Sequence, residues 1–200
     1  MDTLIQILAI LLTYLLGAVP FGLFFSKLFS DVDVRTVGSG NIGATNVLRA
    51  AGKKAAFLTL LTDTLKGLIP VLIVKSFFQD DAMTALTGAA AILGHTYPVY
   101  LKFKGGKGVA TSFGVVFAVA PWLGFICLII WVLVAYIWCY SSLSALVAFA
   151  CYVGLTFLAT SPLSKHYGLL SLFIFGMIYY RHRENIKRLL SGTEAKIGRK

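Results

Sequence analysis

The chain has 200 residues, of which 58% are hydrophobic and 13% charged, and its mean hydropathy is +0.84. A water-soluble domain of this size carries more charge and cannot hide so much apolar surface, so the composition indicates an all-α polytopic membrane protein. In a soluble protein the formal net charge of +10 would suggest nucleic-acid binding. Beside apolar spans it is better explained by positive residues on the cytoplasmic side, and no nucleic-acid partner is expected.

A membrane-spanning helix needs about 20 mostly apolar residues, and the sequence predicts seven such helices in a single domain, residues 1–200. The predicted spans are residues 4–29, 55–78, 82–101, 108–120, 121–138, 143–159 and 162–180. The fourth span is short, and its separation from the fifth depends on Pro121, a residue type that often begins a helix. Without that break the count falls to six and the C-terminus changes sides.

The distribution of Lys and Arg predicts the orientation of the spans. With the N-terminus outside and the C-terminus in the cytoplasm, nearly every Lys and Arg lies in a cytoplasmic segment. The exceptions are Lys75 and Lys165 outside and Lys66 within a span. The positive-inside rule favours this arrangement. It places three polar segments on the cytoplasmic face: residues 37–54, 94–111 and 180–190.

The first polar segment begins VGSGNIGATN and predicts an anion-binding loop that continues to Arg49. Its glycines, Gly40 among them, permit positive φ angles and close approach of the backbone to a ligand. Successive N–H groups in such a loop can cradle an anion. Side chains that can donate hydrogen bonds to a phosphate or carboxylate lie at Ser39, Asn41, Thr45, Asn46 and Arg49. A plain flexible loop is the alternative, and the nucleotide-binding pattern GxxxxGK[ST] is absent.

The second polar segment contains FKGGKG, in which Lys104 and Lys107 flank Gly105 and Gly106. Lysines alone could anchor a span at the membrane surface, but an anchor does not need glycines, which weaken helices by about 1 kcal/mol each. The combination predicts an open backbone on which an anion lies while lysines neutralise its charge. Lys107 is placed where the fourth span begins, so a helix N-terminus would face the same anion.

The third polar segment, YRHRENIKRLL, follows the last span. Its arginines are typical of a cytoplasmic anchor, whereas His182 and Asn185, three residues apart on one helix face, indicate a place in the site. Within the second span, Asp63 and Lys66 predict an ion pair that supports the site, because ionisable residues inside lipid are costly and usually paired. His95, alone at a membrane boundary, is interpreted as a hydrogen-bonded structural residue.

The three polar segments, together with DTLKG at residues 63–67 and the seven-span layout, resemble the signatures of the bacterial acyl-phosphate:glycerol-3-phosphate acyltransferases, the PlsY family. The resemblance covers nearly the whole chain. It implies transfer of a fatty acyl group from acyl phosphate to glycerol 3-phosphate at the cell inner membrane, giving lysophosphatidic acid and phosphate in the first acylation of phospholipid synthesis. No metal or cofactor is expected. Roles at the two phosphates and the reacting groups are implied for Ser39, Arg49, Lys107, His182 and Asn185, with the last three as catalytic residues.

The sequence offers no strong general base. No histidine is followed by Asp in the pattern H-x-x-x-x-D of thioester-dependent acyltransferases, and no Ser–His–Asp set is evident. Acyl phosphate has a good leaving group, so we expect direct attack by the glycerol hydroxyl, with the departing phosphate or His182 taking the proton. A small-anion transporter is the alternative, although its polar sites would reach both membrane faces; a lipid-binding scaffold is a third. The roles of Ser141, Ser142 and Ser144 stay open.

Overall fold

A computed structural model describes residues 2–159 and 165–198. This part of the chain folds into α-helices joined by short loops, with 3₁₀-helical turns at Val34–Thr36 and Val99–Leu101. The α-helices are α1 (Asp2–Gly17), α2 (Phe21–Ser30), α3 (Ala44–Phe78), α4 (Asp81–Thr96), α5 (Val109–Val119), α6 (Pro121–Trp138), α7 (Ser141–Leu158), α8 (Lys165–Arg181) and α9 (Arg183–Leu190).

The predicted all-helical membrane architecture is confirmed, and the number of spans remains a prediction. Within the described residues, the helical segments long and apolar enough to cross a membrane are Thr3–Ser30, Ala44–Phe78, Pro121–Trp138 and Ser141–Leu158. Helix α5 is apolar but has only 11 residues, and α4 and α8 have 16 and 17. All three are shorter than the roughly 20 residues that usually span a bilayer.

Several predicted boundaries change in the structure. The first predicted span is two helices, because Pro20 has no N–H with which to continue α1, and α2 begins at the next residue. The third ends early, at Thr96, two residues before Pro98. The predicted break before Pro121 is confirmed, since this residue begins α6. The start predicted for the last span, at residue 162, lies outside the described residues.

The predicted loop at residues 38–49 is also shorter than expected. Helix α3 begins at Ala44, so the second half of that segment is helical. The helix bends at Gly52, where φ is 80°, a left-handed conformation that glycine adopts without a steric penalty. The bend separates a short N-terminal part of α3 from the long apolar part that follows.

Helices α3 and α5 pack closely through a reciprocal pair of glycines. A Cβ atom on Gly67 would lie 2.3 Å from the carbonyl oxygen of Thr111, and one on Gly114 would lie 2.0 Å from that of Thr64. Small residues allow two helix backbones to approach in this way, as is common in membrane bundles. The close packing fixes the start of α5 against α3.

A buried polar cluster lies between α3 and α4. Lys66 Nζ is 2.7 Å from Asp63 Oδ1, which confirms the predicted ion pair, and it also donates a hydrogen bond to the Val19 carbonyl oxygen at 3.0 Å. His95 Nδ1 lies 3.6 Å from the same Asp63 oxygen. The three ionisable side chains are buried, so the cluster joins α3 to α4 and to the α1–α2 break.

The two ends of the bundle differ in character. At one end, Lys75 Nζ donates hydrogen bonds to the carbonyl oxygens of Ala118 and Val119 at 3.1 Å, and Tyr167 donates to Asp81 Oδ1 at 2.6 Å. The other end, which we call the site end, brings together the N-termini of α3, α5 and α7 with the C-terminal ends of α4 and α8. The polar segments predicted from the sequence converge there.

Candidate active site

The site end encloses a cavity of about 890 Å³. The first turns of three helices line it: residues 44–45 of α3, 109–110 of α5 and 141–142 of α7. A helix N-terminus carries a partial positive charge and N–H groups without intrahelical partners, and both favour an anion. The backbone alone therefore makes this cavity suitable for negatively charged ligands.

Cationic side chains add to that potential. Arg49 of α3, Lys107 of the α4–α5 loop and Arg188 of α9 line the cavity. Lys107 Nζ donates a hydrogen bond to Asn185 Oδ1 at 2.5 Å. Burial lowers the pKa of Lys107 to about 8, and the nearby carboxylate of Glu194 partly opposes that shift. Lys107 is therefore mainly protonated at pH 7.

His182 is neutral at physiological pH and its tautomer follows from its contacts. Its ring is buried, and Nδ1 lies 2.8 Å from the Ile178 carbonyl oxygen. A carbonyl only accepts hydrogen bonds, so Nδ1 carries the proton and Nε2 is the acceptor. Burial and the charge of Lys107 lower the pKa of His182 to about 4. The residue thus offers a weakly basic Nε2 to a hydroxyl group.

Glu194 joins the polar groups of the cavity to one another. Its Oε1 accepts hydrogen bonds from Ser142 Oγ at 2.7 Å and Asn185 Nδ2 at 2.6 Å, and its Oε2 accepts one from Arg188 Nε at 2.7 Å. Burial raises the pKa of Glu194, but these hydrogen bonds outweigh it and lower the pKa below its ordinary value. Neither Glu194 nor Arg188 was predicted as a site residue. Arg188 belongs to the third polar segment, whose arginines were interpreted as a membrane anchor, and Glu194 follows that segment.

Several residues of the first polar segment line the cavity. Its candidate residues that line the cavity are Ser39, Asn41, Thr45, Asn46 and Arg49. Thr45 Oγ1 lies 3.1 Å from Ser141 Oγ, so the starts of α3 and α7 meet at a pair of hydroxyl groups. Ser142 also lines the cavity, whereas Ser144 is buried and donates its hydrogen bond to the Tyr140 carbonyl oxygen at 2.7 Å.

Asn46 has a structural task in this loop. Its Nδ2 donates to the carbonyl oxygens of Val34 and Val37 at 2.9 Å and of Asn41 at 3.0 Å. Its Oδ1 accepts a hydrogen bond from the Ser39 N–H at 3.1 Å. Because its amide group is engaged on both sides, Asn46 shapes the loop that presents its neighbours to the cavity.

Gly105 and Gly106 face the protein interior. Their N–H groups donate to the carbonyl oxygens of Thr96 and His95 at 3.2 and 3.1 Å, and their own carbonyl oxygens accept hydrogen bonds from Arg181. A Cβ atom on Gly106 would lie 2.1 Å from His95 Nε2. These glycines allow close packing of the loop on α4, and their N–H groups are already bonded within the protein.

Gly40 and Lys104 also lie away from the main cavity. They line a smaller cavity of about 330 Å³ beside Arg35 and Arg181. The position of Lys104 thus differs from that of Lys107, although the sequence suggested the same task for both. Phosphate binding by Gly40, Lys104, Gly105 and Gly106 remains a prediction that their contacts do not support.

The main cavity also has large apolar lining residues. They are Phe57 and Leu60 of α3, Trp131 of α6 and Ile197 of the C-terminal segment. A chamber lined by cationic and amide groups as well as apolar groups suits an amphiphilic ligand. Among residues 2–159 and 165–198, no three His, Cys, Asp or Glu side chains are grouped so that they could hold a metal ion.

Comparison with known proteins identifies the family. Residues 7–192 match the family model described as glycerol-3-phosphate acyltransferase. Proteins of that name from Dinoroseobacter shibae and Aquifex aeolicus are 50% and 48% identical to this chain. The first alignment covers 95% of this chain and 92% of the relative, and the second covers 92% and 95%.

Solved structures agree with the sequence comparison. The crystal structure of PlsY, an integral membrane glycerol 3-phosphate acyltransferase, in its glycerol 3-phosphate form matches with a TM-score of 0.90 and 45% identity over 96% of both chains. Its lysophosphatidic acid form gives a TM-score of 0.88 and 44% identity over 96% of this chain and 95% of the other. The fold is thus that of an integral membrane acyltransferase. The chain belongs to the glycerol-3-phosphate acyltransferase family.

Proposed function

We propose that this chain transfers a fatty acyl group from acyl phosphate to glycerol 3-phosphate, giving lysophosphatidic acid and phosphate. The main cavity is the observation that carries the proposal, because both cationic groups and apolar side chains line it. The acceptor and the product are supported by the relatives, since PlsY was solved in glycerol 3-phosphate and lysophosphatidic acid forms. The anion-transporter alternative has no such support.

The cavity offers cationic and neutral ligands for the phosphate groups of the two substrates. Arg49, Lys107 and Arg188 supply the positive charges, and Ser39 and Thr45 supply neutral donors beside the helix N-termini. In this structure the Arg49 guanidinium group donates to the carbonyl oxygens of residues 195 and 196 at 3.4 Å, which is long for a hydrogen bond. A phosphate oxygen would be a stronger partner for its guanidinium group.

Acyl transfer from this donor requires no acyl-enzyme. The glycerol hydroxyl oxygen attacks the acyl carbon, an ester C–O bond forms, and the C–O bond to phosphate breaks. Lys107 and Asn185 are the groups available to stabilise the developing negative charge. The hydroxyl proton passes to the departing phosphate or to Nε2 of His182. With a pKa of about 4, His182 is a weak base, which suits a donor that is already activated.

The choice of acyl donor is testable with the purified protein. Radiolabelled glycerol 3-phosphate and palmitoyl phosphate should give labelled lysophosphatidic acid, whereas palmitoyl-CoA and palmitoyl-acyl carrier protein should give negligible product. A thioester has no phosphate at its reacting carbonyl group, so it would leave some of these phosphate ligands unused, and it would need stronger base catalysis. A non-hydrolysable palmitoyl phosphonate should inhibit competitively. Equal rates with palmitoyl-CoA would show that the two-phosphate assignment is wrong.

We also propose seven spans in the cell inner membrane, with the N-terminus outside, the C-terminus in the cytoplasm and the cavity open to the cytoplasm. In consecutive antiparallel spans, the starts of α3, α5 and α7 and the ends of α4 and α8 all fall on the same face. That arrangement agrees with the helix ends that line the cavity. A cytoplasmic opening would admit glycerol 3-phosphate directly from solution, while the surrounding lipid would receive the product.

Cysteine labelling tests this orientation. In a background whose native cysteines are replaced by alanine, Gln79→Cys should react with a membrane-impermeant maleimide in intact cells. Lys102→Cys is the matched control, because it lies in the exposed loop at the opposite end of α4 and should react only after permeabilisation. A reporter fused after Lys200 should report the cytoplasm. The reverse labelling pattern would exclude a cytoplasmic active site.

A further inference from the structure

Glu194 has no part in the reaction described above, yet it is bonded to side chains of α7 and α9. Its side chain is only 8% exposed, and its donors are Ser142, Asn185 and Arg188. A carboxylate is unexpected in a cavity that binds phosphates, because it lowers the positive potential there. Its presence needs an explanation beyond anion binding.

The amide group of Asn185 lies between an acceptor and a donor. On one side, Nδ2 donates to Glu194 Oε1 at 2.6 Å; on the other, Oδ1 accepts from Lys107 Nζ at 2.5 Å. An ionised carboxylate only accepts hydrogen bonds and an ammonium group only donates them, so the amide has a single favourable orientation. Without the carboxylate, Asn185 could rotate, and Lys107 would lose a fixed acceptor.

We infer that Glu194 is a positioning residue for the proposed acyl transfer: it orients the Asn185 amide and, through that amide, holds Lys107 Nζ at the reacting groups. The inference rests on the proposed function, since it assigns Glu194 to the same site. Glu194 is not needed merely to hold the C-terminal segment against the helices, because that segment makes other contacts with them. The Ile197 N–H donates to the Cys139 carbonyl oxygen at 2.7 Å, and Lys196 lies over the Tyr140 ring.

The charges around Lys107 predict how loss of Glu194 would change the pH dependence of activity. Burial lowers the pKa of Lys107, Glu194 raises it, and the positive groups of α9, α8 and α3 lower it further: Arg188, Arg181 and Arg49. His182 is neutral and adds no charge above its own pKa of about 4. Removing the carboxylate must therefore lower the pKa of Lys107 below about 8. Activity that depends on protonated Lys107 is lost as the pH rises through that value.

Glu194→Gln is the central variant, with Lys196→Gln as a control for a charge change in the same segment. Relative to wild type, Glu194→Gln should lower kcat about tenfold or more, as for the loss of one charge-assisted hydrogen bond, with little change in KM for glycerol 3-phosphate. The alkaline limb of its rate profile should move to lower pH by roughly half a unit or more, the effect of one nearby charge. Lys196→Gln should match wild type in both measurements.

A second variant separates charge from geometry. Glu194→Asp keeps the negative charge but is one methylene shorter, so it should keep the alkaline limb near the wild-type position while kcat falls. Two results for Glu194→Gln would overturn the inference. One is a lower KM with undiminished kcat, as expected if the carboxylate merely competes with phosphate. The other is a loss of kcat without a shift of the alkaline limb. The proposed function fails on a different observation, namely the absence of lysophosphatidic acid in the wild-type assay.

Discussion

Lys107→Ala is expected to reduce kcat/KM about ten- to hundredfold at pH 7, because a charge-assisted contact to phosphate is typically worth about 1.5–3 kcal/mol. The loss should be larger if the contact strengthens in the transition state, and turnover could then fall below detection. The ammonium group of Lys107 is positioned within the cavity by Asn185. Its removal takes away a positive charge in a chamber where burial makes charge interactions strong.

The matched control for this variant is Lys102→Ala. Lys102 belongs to the same loop, but it is exposed and does not line the cavity. The Lys102→Ala substitution removes the same charge from the same loop, so a general effect on membrane insertion or on surface potential should appear in both variants. Equal, small effects of the Lys102 and Lys107 substitutions would show that the loop acts only as a membrane anchor. Lys196→Ala, in the C-terminal segment, should also have little effect.

The pH dependence of wild-type activity should reflect the ionisation of Lys107. The pKa of Lys107 lies near 8, well below its ordinary value, chiefly because the side chain is buried. Below that pH the ammonium form is present and activity is retained; above it the neutral amine accumulates and activity falls. A rate profile measured with a pH-stable donor analogue or over short times should therefore decline through about pH 8.

The large features of the fold could be predicted because they depend on composition and on strong local signals. Pro121 divides α5 from α6 as expected, since proline begins helices readily and cannot continue them. The ion pair of Asp63 and Lys66 was also predictable, because an unpaired charge in lipid is costly. Successive helices that run in opposite directions then bring the polar segments to one end of the bundle.

The details of the site depend on contacts that the sequence does not display. A glycine pattern indicates close approach but not the partner, so Gly106 was expected to face an anion and instead packs against His95. Asn46 was predicted as a donor to substrate, yet the loop's own carbonyl groups engage its amide. Glu194 was not predicted, because nothing in the sequence shows that it lies beside Ser142, 52 residues away.

His182→Ala and Asn185→Ala are both expected to reduce turnover, for different reasons. A general base contributes about 10²- to 10⁴-fold, so His182→Ala should lower kcat by about a hundredfold if Nε2 takes the hydroxyl proton. Asn185→Ala removes the acceptor of Lys107 and one donor to Glu194, and should lower kcat about tenfold or more. Arg183→Ala is the matched control, because this residue lies between them on α9 but is exposed.

The pH profile of His182→Ala decides between the two routes for the proton. If His182 is the base, wild-type activity should fall as the pH drops through about 4, where the ring becomes protonated. The His182→Ala variant should then be slow at every pH, and its activity should show no such fall near pH 4. If the departing phosphate takes the proton, His182→Ala should stay near wild type at every pH while Lys107→Ala remains impaired. Because burial and Lys107 hold the imidazole pKa far below neutral, the ring is ready to accept a proton at physiological pH but retains it only weakly. Such a group suits a proton that must finally leave with the phosphate product.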